Sequence, residues 1–261
     1  MAITVGTSSN SVNGTNVSTL NITALPSTSG TGIIVAVVWI RDTVGASTVS
    51  GITDNGSSGG NTYVQDDTAT SYNPSAGVFI RPFIFHCQDT KGSVTTLTVS
   101  ISGNTTANFV RAAAVEVIPD ALTTLALDAT ALNANQQSGN PTSLTPGSIN
   151  TSVNNSICVT CMVVGRAATI NDSSLAVPTG FSPIRTFGGG ITTPVEGGGA
   201  YEVFTSTQSG LNPAWTVGSS SAGSNTCIVT FKEVSGFAFP PRPNIARETM
   251  LWEALDFDPY S

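Results

Sequence analysis

Few residues in this chain carry reactive chemistry, and their spacing sets limits on it. His86 is the only histidine. Any Ser–His–Asp or Cys–His relay would have to use it. It lies in Pro82-Phe-Ile-Phe-His-Cys87, an apolar stretch that reads as a strand, so a packed imidazole with one hydrogen bond is expected. Cys158 and Cys161 have the C-x-x-C spacing of zinc and redox sites. Their surroundings, Ser156-Ile-Cys-Val-Thr-Cys-Met-Val-Val164, also read as a buried strand. Residues three apart on a strand point to opposite faces. With Cys87 and Cys227, they are expected to be small core thiols, and no metal or cofactor is expected.

Paired carboxylates are the remaining catalytic option, because glycosidases need two at a set separation. Asp54, Asp66, Asp67, Glu116 and Glu202 are the candidates, and nothing in their spacing brings two together. Asp54-Asn55-Gly56 opens like a calcium loop but lacks the later ligands, so it reads as a turn. The triplets Gly188-Gly-Gly190 and Gly197-Gly-Gly199 are not followed by the Lys and helix of a phosphate-binding loop; they read as hairpin ends. The expectation is a protein that is not an enzyme.

The elements around these residues are short β-branched runs separated by Gly, Asn, Ser and Pro. Strands are expected near 17–25, 33–41, 49–54, 62–68, 78–88, 94–102 and 109–118. A second series is expected near 148–152, 157–164, 181–187, 200–207, 214–218 and 226–233. No sustained 3.6-residue period interrupts them, which excludes a βαβ fold. The two series resemble each other. Gly32-Ile-Ile-Val-Ala-Val-Val-Trp39 matches Ser156-Ile-Cys-Val-Thr-Cys-Met-Val163, and Ala112–Val117 matches Cys227–Val234 in the same order. The expected fold is all-β: a single antiparallel β-sandwich of jelly-roll or Greek-key type spanning 1–235, closed from two related halves at about 15–120 and 145–235. Residues 130–146 read as a surface crossover.

The chain has 261 residues, with 39% hydrophobic, only 10% charged, and a formal net charge of −7. Ordinary domains carry about 25% charged residues. The nine Lys and Arg are scattered. That excludes the basic footprint of a nucleic-acid binder and an electrostatic hold on an anionic membrane. No secretory signal is visible at Met-Ala-Ile-Thr-Val-Gly. The longest apolar stretch, 33–40, is too short to span a bilayer.

Together, Gly32–Arg41, the turn Ile52-Thr-Asp-Asn-Gly56 with Gly60-Asn-Thr-Tyr63, and Phe109–Asp120 ending Val-Ile-Pro-Asp resemble a jelly-roll-like β-sandwich module of tailed-bacteriophage virion proteins and bacterial surface proteins. Ser152-Val-Asn-Asn-Ser-Ile157 and Cys227–Val234 extend the resemblance over about 15–235. It implies assembly or carbohydrate contact, and no fixed catalytic residues. The expected role is a virion structural protein: a capsid decoration, fibre or tail-associated component, made in the host cytoplasm. Its partners would be other virion proteins and copies of itself. The alternatives are an adhesion module for a host-surface glycan or receptor, and a jelly-roll glycoside hydrolase. Tyr63, Tyr72 and Trp215 are the candidate glycan contacts, whereas Trp39 and Phe83 are expected in the core.

Composition changes after Ser235. The segment Gly236-Phe-Ala-Phe-Pro-Pro-Arg-Pro-Asn244 is proline-rich and extended. Residues 245–255 are expected to form a short helix capped by Asn244. Phe237, Phe239, Arg242, Trp252, Leu255, Phe257 and Tyr260 make 236–261 a candidate partner-binding arm.

Overall fold

A computed structural model describes residues 3–9, 12–57, 59–106, 108–120, 123–139, 141–165, 175–187, 195–217 and 223–235. The described residues are all-β and contain no helix. The helix expected at 245–255 and the seven arm residues lie outside the described residues.

Two strands dominate because their sequences leave no polar face. β4 (Ile33–Asp42) and β14 (Ser156–Gly165) are buried at every position. A strand covered on both faces reads as an unbroken apolar run, whereas one-sided cover gives alternation. Around β4 stand β1 (Thr4–Val5), β2 (Val12–Thr15), β6 (Val64–Gln65), β7 (Tyr72–Ser75), β8 (Val78–Gln88) and β10 (Asn108–Ile118). They form an antiparallel sheet in the order β1-β10-β4-β8-β6, with β2 also on β10 and β7 on β8. Around β14 stand β11 (Thr123–Leu127), β12 (Asn133–Ser138), β15 (Ser182–Phe187), β16 (Val195–Phe204) and β18 (Gly223–Ser235). Their order is β11-β18-β14-β16-β15, with β12 also on β18.

Each large sheet carries a smaller one on its outer face. β3 (Thr19–Ile22), β9 (Leu97–Ser102) and β5 (Thr48–Asp54) cover the first in the order β3-β9-β5. β13 (Ser143–Leu144) and β17 (Trp215–Thr216) cover the second, extended by a bridge from Ala176 to Thr216. The two series thus run through the same strand order, from edge pair to outer sheet to centre.

The layers stack four deep. Ile33, Val35, Val37 and Trp39 pack with Ile157, Val159, Cys161 and Val163 in the core between the large sheets. The opposite face of β4, Ile34, Ala36, Val38 and Ile40, packs under Ile22, Leu97 and Val99. Cys158, Met162 and Val164 pack under Leu144, Trp215 and Val217. The antiparallel sandwich expected from sequence is present, but the layering is corrected. Two one-faced halves would give two layers, and full burial of β4 and β14 demands a cover on each side. Residues 130–146 hold β12, on the large sheet, and β13, on the outer one. The expected strand at 148–152 reduces to a single bridge, Ile149–Leu211.

The seam between the series is braced by polar contacts. Gln88 donates to the Leu125 carbonyl at 2.6 Å, and Asn225 Nδ2 to the Thr70 carbonyl at 2.7 Å. Arg111 on β10 lies beside Glu196 on β16, and both are buried. Burial lowers the Arg111 pKa, and Glu196 partly offsets that.

Candidate functional site

A cluster of polar side chains lies where β6 and the end of β8 meet two loops. Asp54, the last residue of β5, anchors the first loop. It accepts hydrogen bonds from the Gly56 N–H at 2.9 Å, from Asn61 Nδ2 at 2.9 Å and from the Tyr63 hydroxyl at 2.9 Å. Asp89 anchors the second, accepting from Gly92 N–H at 2.9 Å and from Gly30 N–H at 3.1 Å. Asn61 joins the two, because its Nδ2 also reaches Asp89 Oδ1 at 3.3 Å. Asx turns of this kind hold backbone that no ladder satisfies. The Asp54 triplet is therefore a turn, as expected from its missing ligands.

Between the loops opens a cleft of about 360 Å³, lined among others by Asn61, Thr62, Val64, His86, Gln88 and Lys91. Val64 is 53% exposed, one of two large exposed hydrophobics among the described residues. His86 closes the cleft on the core side. Its Nδ1 donates to Asp66 Oδ2 at 2.7 Å, and the Asp66 side chain is fully buried. The ring packs 5.0 Å from that of Phe231, on the other large sheet. His86 is thus held by one carboxylate and one aromatic ring, in keeping with a packed imidazole.

The neighbouring groups are chemically quiet. Burial pushes the Cys87 thiol up to about 12 and raises the Tyr63 phenol as well. Burial likewise pushes Cys158 up to about 12 and Cys227 well above its usual range. All four cysteines are free and buried. Cys158 lies in the outer core of its sheet while Cys161 lies in the core between the sheets, as the strand parity required. Among the described residues, no group of three or more His, Cys, Asp or Glu converges as a metal site does.

Two of the other candidate carboxylates, Glu116 and Asp67, are committed to backbone N–H groups. Glu116 Oε1 takes the Ser29 N–H at 2.7 Å. Asp67 takes the Ile84 and Ala69 N–H groups at 3.1 and 2.9 Å, and burial pushes its carboxyl up to about 6. Burial also raises Glu202, which lines a separate cleft of about 250 Å³ with Phe181 and Leu211.

The three aromatic glycan candidates do not form one platform. Trp215 is 0% exposed, and its indole N–H donates to Thr160 Oγ1 at 3.2 Å. It is a core residue and is withdrawn as a glycan contact. Its flanks, Pro213 and Thr216, look like a surface turn in the sequence, and only the outer sheet makes it internal. Tyr63 is half-buried against the core under β3-β9-β5, with its hydroxyl engaged by Asp54. Tyr72 is half-buried against the central core.

A third cleft, of about 340 Å³, lies on the same seam near Tyr72. It is lined by Thr68, Thr70, Ala134, Asn135, Gln136 and Asn225, so it carries amides and hydroxyls without a charged group. Gln88, Asn61, Lys91 and this amide-lined cleft were not singled out by sequence reasoning. The polar turn Thr90-Lys-Gly92 was the one available signal, since the partners of each cleft are far apart in the chain. No family model matches the chain, and neither does any curated protein or any solved structure.

Proposed function

We propose that this chain is a virion structural protein of the tailed-bacteriophage kind, a capsid decoration, fibre or tail-associated component. It attaches to neighbouring virion proteins and to copies of itself through protein–protein contacts that include the arm 236–261. Jelly-roll kinship and a short helix within the arm belong to this reading.

One observation carries it: the arm leaves from a rigid point. β18 is paired along one edge to β14 and along the other to β11 and β12. Its last residue, Ser235, is in register with Thr123. Glu233 is tied twice more, accepting from the Asp120 N–H at 3.1 Å and donating its own N–H to the Asn155 carbonyl at 3.1 Å. A proline- and aromatic-rich segment starting at such a point transmits force to a stiff body instead of pulling a strand loose. Aromatics and Arg are the residues that anchor protein interfaces. A low-charge body packed four layers deep suits a load-bearing part. The test is mass spectrometry of gradient-purified particles. The chain should co-sediment with intact particles in fixed stoichiometry, and its absence from them would reject the assignment.

A second reading is adhesion to a host-surface glycan. The uncharged cleft lined by Thr68, Asn135 and Gln136 favours it, since amides and hydroxyls match sugar hydroxyls as both donors and acceptors. A glycan screen with the full chain tests it. Saturable binding that Gln136→Ala weakens at least tenfold supports this reading, and silence across the panel removes it.

A further inference from the structure

The two large sheets are unequally covered, and Glu202 stands where the cover of the second runs out. On β16, Ala200 and Phe204 pack in the outer core of their sheet. Glu202 lies between them on the same face, in register with Cys158. Three strands cover the outer face of the first large sheet, and two cover that of the second. The smaller cover rests Trp215 on Gly198. Beside it, between the turn 178–181 and the segment 211–214, opens the cleft of about 250 Å³ with Glu202 in its wall.

The walls of this cleft are apolar and held in place. Pro178, Phe181 and Pro213 are buried, and Leu211 packs against the same outer core. Phe181 donates its N–H to the Pro178 carbonyl at 3.0 Å, which closes the turn. Leu211 and Ile149 exchange two hydrogen bonds of 2.9 Å. Gly180, at φ 89°, brings the turn close to the carboxylate. A Cβ there would lie 2.8 Å from Glu202 Oε1 and 3.1 Å from Oε2.

The charge in this apolar setting is unmet. Among the described residues, no hydrogen bond or ion pair reaches Glu202, and burial alone raises its carboxyl. Lys232, at the same end of the sheet, is taken by Asp128 at 3.5 Å. A neutral occupant would desolvate the carboxylate without compensation, and an anion would be repelled. A cation on an apolar stem satisfies the charge and the walls together. Pockets for whole small-molecule ligands run about 300–1,000 Å³, so a cleft of about 250 Å³ suits a single side chain. The chain carries 16 Asp and Glu against 9 Lys and Arg, which favours a basic partner over a second acidic copy.

We propose that the Glu202 cleft takes a Lys or Arg side chain of a neighbouring protein, with the cationic head on Glu202 and the stem along Phe181 and Leu211. The inference rests on the reading of this chain as one that attaches to other proteins, and adds a contact on its rigid body, apart from the arm.

Nuclear magnetic resonance of the isotope-labelled full chain at pH 7 tests this. The probes are N-acetyl-arginine methylamide and N-acetyl-lysine methylamide, with N-acetyl-norleucine methylamide as the neutral stem. At least one cationic probe should shift the Gly180, Glu202 and Leu211 amides saturably. The norleucine probe should bind at least tenfold more weakly, and Glu202→Gln should weaken the cationic probe at least tenfold. Because Glu202 has no partner to lose, Glu202→Gln should keep the parent urea midpoint, so lost binding is not lost folding. Absence of saturable shifts overturns the proposal, as does equal binding of the norleucine probe or unchanged affinity in Glu202→Gln. Arg242→Ala that tightens probe binding severalfold overturns it too, by placing the chain's own arm in the cleft. If no probe binds while particles contain the chain, the cleft assignment fails and the virion reading stands. Probes that bind while the chain is absent from particles uphold the cleft and reject the virion reading.

Discussion

Gly197 on β16 lies flat against the indole of Trp39 on β4, across the core that joins the two strand series. A Cβ built at Gly197 would sit 2.7 Å from Trp39 Cδ1 and 2.5 Å from the Met162 carbonyl oxygen. The next two glycines are equally confined: Gly198 faces the Trp215 ring at 3.0 Å, and Gly199 faces Val37 at 2.6 Å. The triplet is therefore the mid-strand surface on which two tryptophans rest, and not the hairpin end its composition suggested.

Gly197→Ala is accordingly expected to destabilise the fold. Overpacking a full core costs about 1–3 kcal/mol, and here both obstacles are held by neighbouring strands. Urea unfolding should show a lower midpoint at unchanged slope. Gly51→Ala is the control, because no atom lies within 4 Å of a Cβ at Gly51.

Arg111 and Glu196 bring a buried charge pair to the same interface. Removing one member of such a pair costs about 3–5 kcal/mol, whereas replacing both with apolar residues is often neutral. Glu196→Gln should therefore be strongly destabilised. The double variant Arg111→Met/Glu196→Leu should recover most of the loss, as measured by chemical denaturation at pH 7.

Two carboxyls give the stability curve opposite slopes in different windows. Burial pushes the Asp128 carboxyl upward, but hydrogen bonds from Ser152 and Thr130, helped by Lys232, outweigh it and hold the group at about 2. Its folded value lies below the unfolded one, about 3.9. It stabilises above pH 4, and that contribution is lost as pH falls towards 2. Asp67, pushed up to about 6 by burial, works the other way. Folding favours its protonated form, so its contribution is present below about pH 4 and is lost as pH rises through 6. Asp67→Asn should match the parent near pH 4 and exceed it at pH 7. Unfolding midpoints measured across pH 2–8 check both signs.

The thiols give a simpler readout. Cys87 is 1% exposed, the other three are 0% exposed, and burial raises Cys87, Cys158 and Cys227 far above neutral pH. Iodoacetamide at pH 8 should label none of the four in the native chain and all four in denaturant. Fast native labelling at Cys158 or Cys227 would contradict the four-layer stack.

Much of this architecture was legible in the chain. The unbroken runs at 33–40 and 156–164 marked the two central strands, and their likeness marked the repetition. Those same runs, lacking alternation, also implied cover on both faces, which the two-layer reading passed over. Edge strands were not legible. β12, Asn-Ala-Asn-Gln-Gln-Ser, has no β-branched residue, and its extended form comes from pairing along β18. Trp215 was misplaced because burial under a two-stranded outer sheet leaves no local signature. The Val64 cleft joins residues near 62 and 88 to a strand near 125, and that proximity exists only after the large sheets stack.

The attachment role of the arm is tested most directly by a chain ending at Ser235, compared with the full chain for urea midpoint and for copies incorporated per particle. The account expects the midpoint to change by less than about 1 kcal/mol in stability, within the range of modest surface effects. It also expects incorporation to fall below a tenth of the full-chain level. A truncated chain that remains folded and enters particles at the full-chain level would contradict it.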